Sequence, residues 1–198
     1  MSNSDPKQVI VDWLIRPSVL ISESKALGEG GWRGQIRQGG HDADPATIRF
    51  LKERSIPGRQ IHSVVFESLM DGRRLKMQQI IQVIQNDNGG WHTRGGAGGG
   101  AEDGPIREHP WVNLAGGGWP DDFYMGGPVI DNGLDIAVVR LVTGNGLTIE
   151  DTVDDGFVLF LTNRKVELPI FSELYDRAGG LAARHEAVPE LRYEPPSA

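Results

Sequence analysis

The chain has 198 residues, a formal net charge of -7, 27 glycines, 12 prolines and no cysteine. The acidic balance argues against nucleic acid as a partner, because phosphate neutralisation needs a basic footprint. The missing cysteines exclude disulfides, thiolate nucleophiles and thiolate metal sites.

The length suits one sizeable domain or two small ones, and the glycine and proline usage favours short strands and turns over long helices. The N-terminal stretch carries Asp5 and Asp12, and Arg16 and Pro17 interrupt its apolar positions. It resembles neither a signal peptide nor a membrane-spanning helix, so a cytoplasmic protein without a membrane partner is expected.

Asp5-Pro6 and Asp44-Pro45 share one helix-start signal, a capping carboxylate followed by a residue whose missing N–H costs nothing at the first helical position. The first predicts a helix burying Val9, Ile10, Trp13 and Leu14. The second predicts a shorter helix with Ile48, Phe50 and Leu51 on one face, ending near Pro57. Between them, residues 28–44 read as a loop or a ragged strand around Trp32 to Ile36, and their glycine spacing does not fit a dinucleotide fingerprint.

From Ile61 the pattern turns to strands. "IHSVVFESLM" runs into Asp71-Gly72, a hairpin signal, and "RLKMQQIIQVIQ" follows as its partner; the β-branched run Ile80, Ile81, Val83, Ile84 favours a strand there over a helix. Asn88-Gly89 reverses the chain again and delivers Trp91 to the strand "WHTR", completing a three-stranded meander. The basic run "GRRLK" reads as a solvated strand end. Gly-Gly-Trp recurs at Trp32, Trp91 and Trp119 with unequal spacing, which points to turn chemistry and not to a repeat.

Residues 95–128 combine a glycine run with "HPWVNLAGGGWPDDFYMGGP" and read as either a long glycine-rich loop or a boundary between two lobes. Beyond it, "LDIAVVRLVT", "LTIEDTV" and "FVLFLT" read as consecutive antiparallel strands separated by glycine turns, with "VELPIFSELYD" and "LAARHEAV" as a further hairpin. Residues 129–185, with the rhythm "AVVRL…GNG…DTVDDGFVLF…ELYDRAGG", resemble the small immunoglobulin-like or transthyretin-like β-sandwich modules of bacterial proteins. The resemblance implies a binding scaffold of bacterial type and carries no functional residue with it.

The expected fold is therefore mainly β, an antiparallel β-sandwich with a short-helix N-terminal lobe. Its parts are 1–94 (helices and meander), 95–128 (glycine-rich loop), 129–188 (sandwich portion) and 189–198 (tail), with the two lobes free to share one core.

The histidines have no recognised catalytic or metal spacing, "HDAD" is better explained by Asp44 as a cap, and the acidic turns lack the ligand order of a calcium loop. No cofactor and no metal are expected. The strongest candidates for binding are Trp91, Trp111, Trp119, Phe123 and Tyr124, since aromatic planes beside glycine suit stacking or anchoring of a partner. The expectation is a non-enzymatic interaction or accessory protein with a protein partner, and with homo-oligomers through edge strands as an option. A carbohydrate-binding module and an enzyme with a carboxylate or histidine site between the lobes are the alternatives.

Overall fold

The computed structural model describes residues 5–23, 35–70, 72–100, 108–118 and 121–190. The glycine-tryptophan pair at 31–32, Asp71 and the last residues of the tail lie outside them. Among the described residues the chain is mainly β and antiparallel, with one short α-helix.

Helix α1 spans Pro6–Leu14 and starts as its signal requires: Asp5 Oδ1 accepts from the Lys7 N–H at 3.1 Å, with proline in the first turn. Ile10 and Leu14 are fully buried. Strands β1 (Ser18–Glu23) and β2 (Gln35–Gly39) form a separate antiparallel pair.

The second helix signal is overridden. Asp44 does cap a turn, its Oδ1 accepting from Ala46 N at 3.1 Å, but that turn is a single 3-10 turn, Pro45–Thr47. The chain then enters β3 (Arg49–Ile56) instead of continuing as a helix to Pro57. The reason is a long-range partner: β3 zips along β4 (Arg59–Met70) through the Pro57–Gly58 turn, with Gly58 at φ +73°. A ladder of this length outweighs the weak intrinsic preference of a short helical stripe.

Strands β5 (Arg73–Gln85) and β6 (Trp91–Gly100) complete a sheet in the order β3-β4-β5-β6. The strand reading of the isoleucine-rich segment holds. The glycines at 95–100, expected in a loop, extend β6. The remainder of that expected loop also contains strands: β7 (Trp111–Val112), β8 (Ala115–Gly117) and β9 (Tyr124–Ile130).

Strands β10 (Ile136–Thr143), β11 (Thr148–Thr152), β12 (Phe157–Leu161), β13 (Ile170–Asp176) and β14 (Leu181–Val188) follow the glycine turns as expected. Their pairing differs from simple succession. The end sheet is ordered β11-β10-β13-β14, whereas β12 leaves it and pairs with β9, which also holds β7 and β8. The turn at Asp155 (φ +50°) and Gly156 (φ +73°) is thus a corner between sheets, tied by one bridge between Asp154 and Phe157.

Three apolar clusters bind these layers. Ile10, Leu14, Val64, Phe66, Ile81 and Val83 join α1 to one face of the meander. Ile61 and Ile80 on its other face meet Leu159 of β12. The opposite side of β9 and β12, with Met125, Val158 and Phe160, packs against Val139, Leu141, Ile170 and Leu174 of the end sheet. Strand β12 is apolar throughout because it is covered on both faces, the condition that turns alternation into a continuous hydrophobic run.

The meander and the end sheet are also joined by charge. Lys52 of β3 and Asp151 of β11 have side chains only 4% exposed and pair at 2.7 Å. Lys52 Nζ also donates to the carbonyls of Thr152 and Phe157 and meets Asp154 Oδ2 at 2.8 Å. Asp151 in turn accepts from the Arg54 guanidinium and, at 2.7 Å, from the Leu159 N–H on the open edge of β12. Asp154 is held below the usual carboxylate range, chiefly by its hydrogen bond from Lys52.

Removing one member of a buried pair leaves the other uncompensated. Lys52→Met and Asp151→Leu should each lower unfolding stability by about 3 to 5 kcal/mol, and the double variant should lose clearly less than the sum. Urea denaturation of the three variants reads this out; additive losses would show that the charges do not act as a pair.

Candidate functional site: the glycine-rich edge strand

Among the described residues β6 is paired on one side only, with β5, so it forms an edge of the meander sheet. Every second residue of such a strand turns its N–H and C=O away from the sheet, a template for another strand.

Native edges are commonly guarded by charge, proline, brevity or distortion. Here the end strands β3, β11, β14 and β7 carry such guards, and the uncharged β12 has the Asp151 carboxylate on its Leu159 N–H. Strand β3 holds Lys52, Glu53 and Arg54, β11 holds Glu150 and Asp151, β14 holds Arg184, His185 and Glu186, and β7 has only two residues. In β6 the guards stop at Arg94, which sits where the pairing register shifts between Gln82 and Val83. Beyond it, Gly95, Gly96, Ala97, Gly98, Gly99 and Gly100 present no charge and almost no side chain.

Two of these glycines are required by the backbone. Gly95 and Gly98 have φ of +147° and +148°, outside what L side chains adopt, and a Cβ on Gly98 would collide with the Gln78 carbonyl oxygen. Gly99 is different: a Cβ there meets open space. The strand is therefore glycine-rich partly for fit and partly, at Gly99, without local steric need.

The near end of β6 is anchored. Asp122, just before β9, takes Arg94 on one carboxylate oxygen and Arg59 Nη1 on the other at 2.8 Å, while Arg59 Nη2 donates to the Thr162 carbonyl at 2.5 Å. Arg59 is buried, and this desolvation lowers its pKa against the opposing pull of Asp122. Tyr124 stands beside the corner with its phenol pKa raised by burial.

The aromatic residues singled out from sequence do not come together as a platform. Trp91 is half-buried against the cluster under α1, and Tyr124 is half-buried against the cluster between the meander and β12. Phe123 is fully buried in the C-terminal core, which corrects its reading as a contact residue: its strand-end position plugs that core. Trp111 is half-buried on β7, and Trp119 lies outside the described residues. What sequence reasoning missed is the neighbouring strand itself, because a glycine run carries no periodicity to identify it.

The polar candidates are also placed. Asp42 Oδ2 accepts from the N–H and hydroxyl of Ser18, at 2.8 and 2.7 Å. His41 stacks edgewise on Trp13 at 4.7 Å and accepts through Nδ1 from Gln79 Nε2 at 3.4 Å. His62 is 1% exposed, donates through Nε2 to Gln60 Oε1 at 3.2 Å, and leaves Nδ1 without a hydrogen-bond partner. Burial lowers the pKa of both rings, that of His62 to about 4 despite the opposing effect of Glu53. His185 Nε2 donates to the Pro110 carbonyl at 2.8 Å. Among the described residues no group of three or more histidines or carboxylates is arranged to hold a metal ion, and no helix is long and apolar enough to cross a membrane.

Comparison of the chain with family models, with curated proteins and with solved structures yields no match.

Substitutions within the glycine run should separate steric need from permissiveness. Gly98→Ala should lower the melting temperature by several degrees, through a loss of more than about 1 kcal/mol, while Gly99→Ala stays within about 0.5 kcal/mol of the parent. Equal effects would refute the asymmetry.

His62 predicts a pH dependence. Its folded pKa lies near 4, below the ordinary 6.5, so between these values the unfolded chain binds the extra proton and stability falls as pH falls. The loss attributable to this ring should approach about 3 kcal/mol by the bottom of the window. Urea denaturation from pH 7 to pH 4 should show a shallower slope in His62→Phe than in the parent; identical slopes would refute it.

Proposed function

We propose that the protein is a non-enzymatic binding protein that captures an extended segment of a protein partner by adding it to the open side of β6. The observation that carries this reading is the absence of any charged or bulky side chain from residues 95–100 on a strand paired on one side, while the end strands β3, β11 and β14 are charged and the apolar β12 has Asp151 on its free Leu159 N–H. Main-chain hydrogen bonds supply affinity in this mode of recognition, and pockets for alternate side chains supply selectivity.

The reading extends to the fold. The middle and end sheets share one apolar cluster from facing strands, which supports a β-sandwich like the modules that residues 129–185 resemble, with the meander and α1 laid on its outer face. The tie of Arg94 and Arg59 to Asp122 gives the edge a rigid base on this scaffold. A sugar-binding aromatic platform has less support, since Phe123 is in the core and the described tryptophans are half-buried.

Gly99→Lys introduces a guarding charge where a side chain meets open space, so the fold should tolerate it. Affinity capture from native extract followed by amide hydrogen exchange should show protection of residues 91–100 in the captured complex with the parent protein, and loss of capture with the variant. Undiminished capture by Gly99→Lys, or protection confined to other strands, would overturn the reading. Protection dependent on protein concentration, without a partner, would identify the added strand as a second copy of β6.

A further inference from the structure

Residues 5–23 and 35–43 hold together as a unit of their own. Among the described residues, strands β1 and β2 pair with each other and with no other strand. The end of α1 is bonded to the chain that follows them: Leu14 O accepts from the N–H groups of His41 and Ala43 at 3.0 and 3.1 Å, Arg16 O from Asp42 N at 3.0 Å, and Pro17 O from Gly40 N at 3.1 Å. The seat of this unit on the meander is the apolar face of Val64, Phe66, Ile81 and Val83, against which Ile10 and Leu14 pack.

A histidine lies beneath each end of α1. Trp13 meets the His41 ring edgewise at 4.7 Å, and that ring meets Phe66 at 5.7 Å. At the other end Lys7 pairs with Glu53 at 2.8 Å and lies over the Phe50 ring, which meets His62 edgewise at 5.7 Å. His62 shares the row of Glu53 and Ile81 across the sheet, so its ring stands on the face that α1 covers, 1% exposed and with no hydrogen-bond partner on Nδ1. Glu53 stands 3.7 Å from that atom, beyond hydrogen-bond reach, and is engaged by Lys7. A second proton on the ring would place a poorly compensated charge beneath the helix.

We propose that this N-terminal unit is an acid-released cover: when His41 and His62 take up protons it lifts from the meander as a body and bares Val64, Phe66, Ile81 and Val83, while the meander, middle and end sheets stay folded. The sign follows from burial. Desolvation lowers the pKa of His41 against the opposing effect of Asp42. At His62 desolvation again dominates; Glu53 and Asp5 favour the charged ring, Lys7 disfavours it, and the balance lies at about 4. Lifted into water, the His62 ring returns to 6.5, so protons favour the lifted state as pH falls from 6.5 towards 4. Glu53, held below its ordinary value chiefly by its hydrogen bond from Lys7, keeps its charge down to pH 5 and its tie to α1 with it. The cover makes no use of the open side of β6, so it stands independently of partner capture.

Amide hydrogen exchange of the intact protein, corrected for the pH dependence of the chemical step, reads the opening. Between pH 7 and pH 5 the helical amides of α1 should lose about twentyfold in protection through His62 alone. Low urea should change their protection less than that of β10 and β13, because lifting the unit exposes less surface than unfolding the chain. His62→Phe should flatten the pH dependence at α1, and adding His41→Phe should flatten it further; His62→Leu and His41→Leu repeat the comparison where a phenyl ring crowds its site. Protection of α1 that does not change with pH would overturn the proposal. So would α1 amides that match β10 and β13 in both protection and urea dependence, or an unchanged pH dependence in the folded double variant.

Discussion

The buried pair of Lys52 and Asp151 is the constraint around which the layers are arranged. Either charge alone would be strongly unfavourable at 4% exposure, and together they are tolerable only with their remaining hydrogen-bonding capacity filled. The fold fills it from three directions: the Thr152 and Phe157 carbonyls on Lys52, the Arg54 guanidinium on Asp151, and the Leu159 N–H on the same carboxylate. Those partners belong to β3, β11 and β12. Satisfying the ions thus fixes the meander relative to the middle and end sheets, a geometric demand that apolar packing alone does not make.

This junction also explains why β12 leaves the sheet of its neighbours. A strand succeeding β11 through a tight turn would ordinarily pair with it. Here the Asp154–Gly156 turn bends the chain into the middle sheet, where β12 gains β9 on one edge while Asp151 satisfies an N–H on the other. Its five residues are then covered on both faces, Val158 and Phe160 toward the end sheet, Leu159 and Leu161 toward the meander. An uncovered face would leave Leu159 exposed.

These relations mark the limit of what the sequence makes legible. Turn chemistry is local, so the reversals at Gly72, Gly89, Gly146, Gly156 and Gly179 were readable, and each of these glycines adopts positive φ. The α1 cap was readable for the same reason. Partner choice is not local: nothing at Asp154–Gly156 says that the next strand changes sheet, and nothing at Asp44-Pro45 says that β4 will claim the following residues. Lys52 reads as an ordinary surface lysine until Asp151, far along the chain, is placed beside it. Of the candidate contact residues, Phe123 failed because an aromatic next to glycine has the same sequence appearance whether it plugs a core or faces solvent. The glycine run of β6 was visible as an anomaly but not as a strand, because a strand is identified by side chains and this one has almost none.

The composition of that edge sets the character of whatever pairs with it. A long exposed edge rich in β-branched or aromatic residues invites aggregation, since backbone pairing and side-chain burial then act together. Glycine separates the two. Residues 95–100 offer main-chain donors and acceptors but almost no apolar area, so an added strand gains hydrogen bonds whose net worth is only about 0.5 to 1.5 kcal/mol each. That gain is set against the cost of ordering the incoming segment, which is of similar size per residue. Specificity and surplus affinity must then come from contacts that the segment makes beyond β6. An edge of this kind holds a partner already positioned by other surfaces and discriminates against casual pairing with whatever strand diffuses past. That balance reconciles an unguarded edge with the charged end strands β3, β11 and β14.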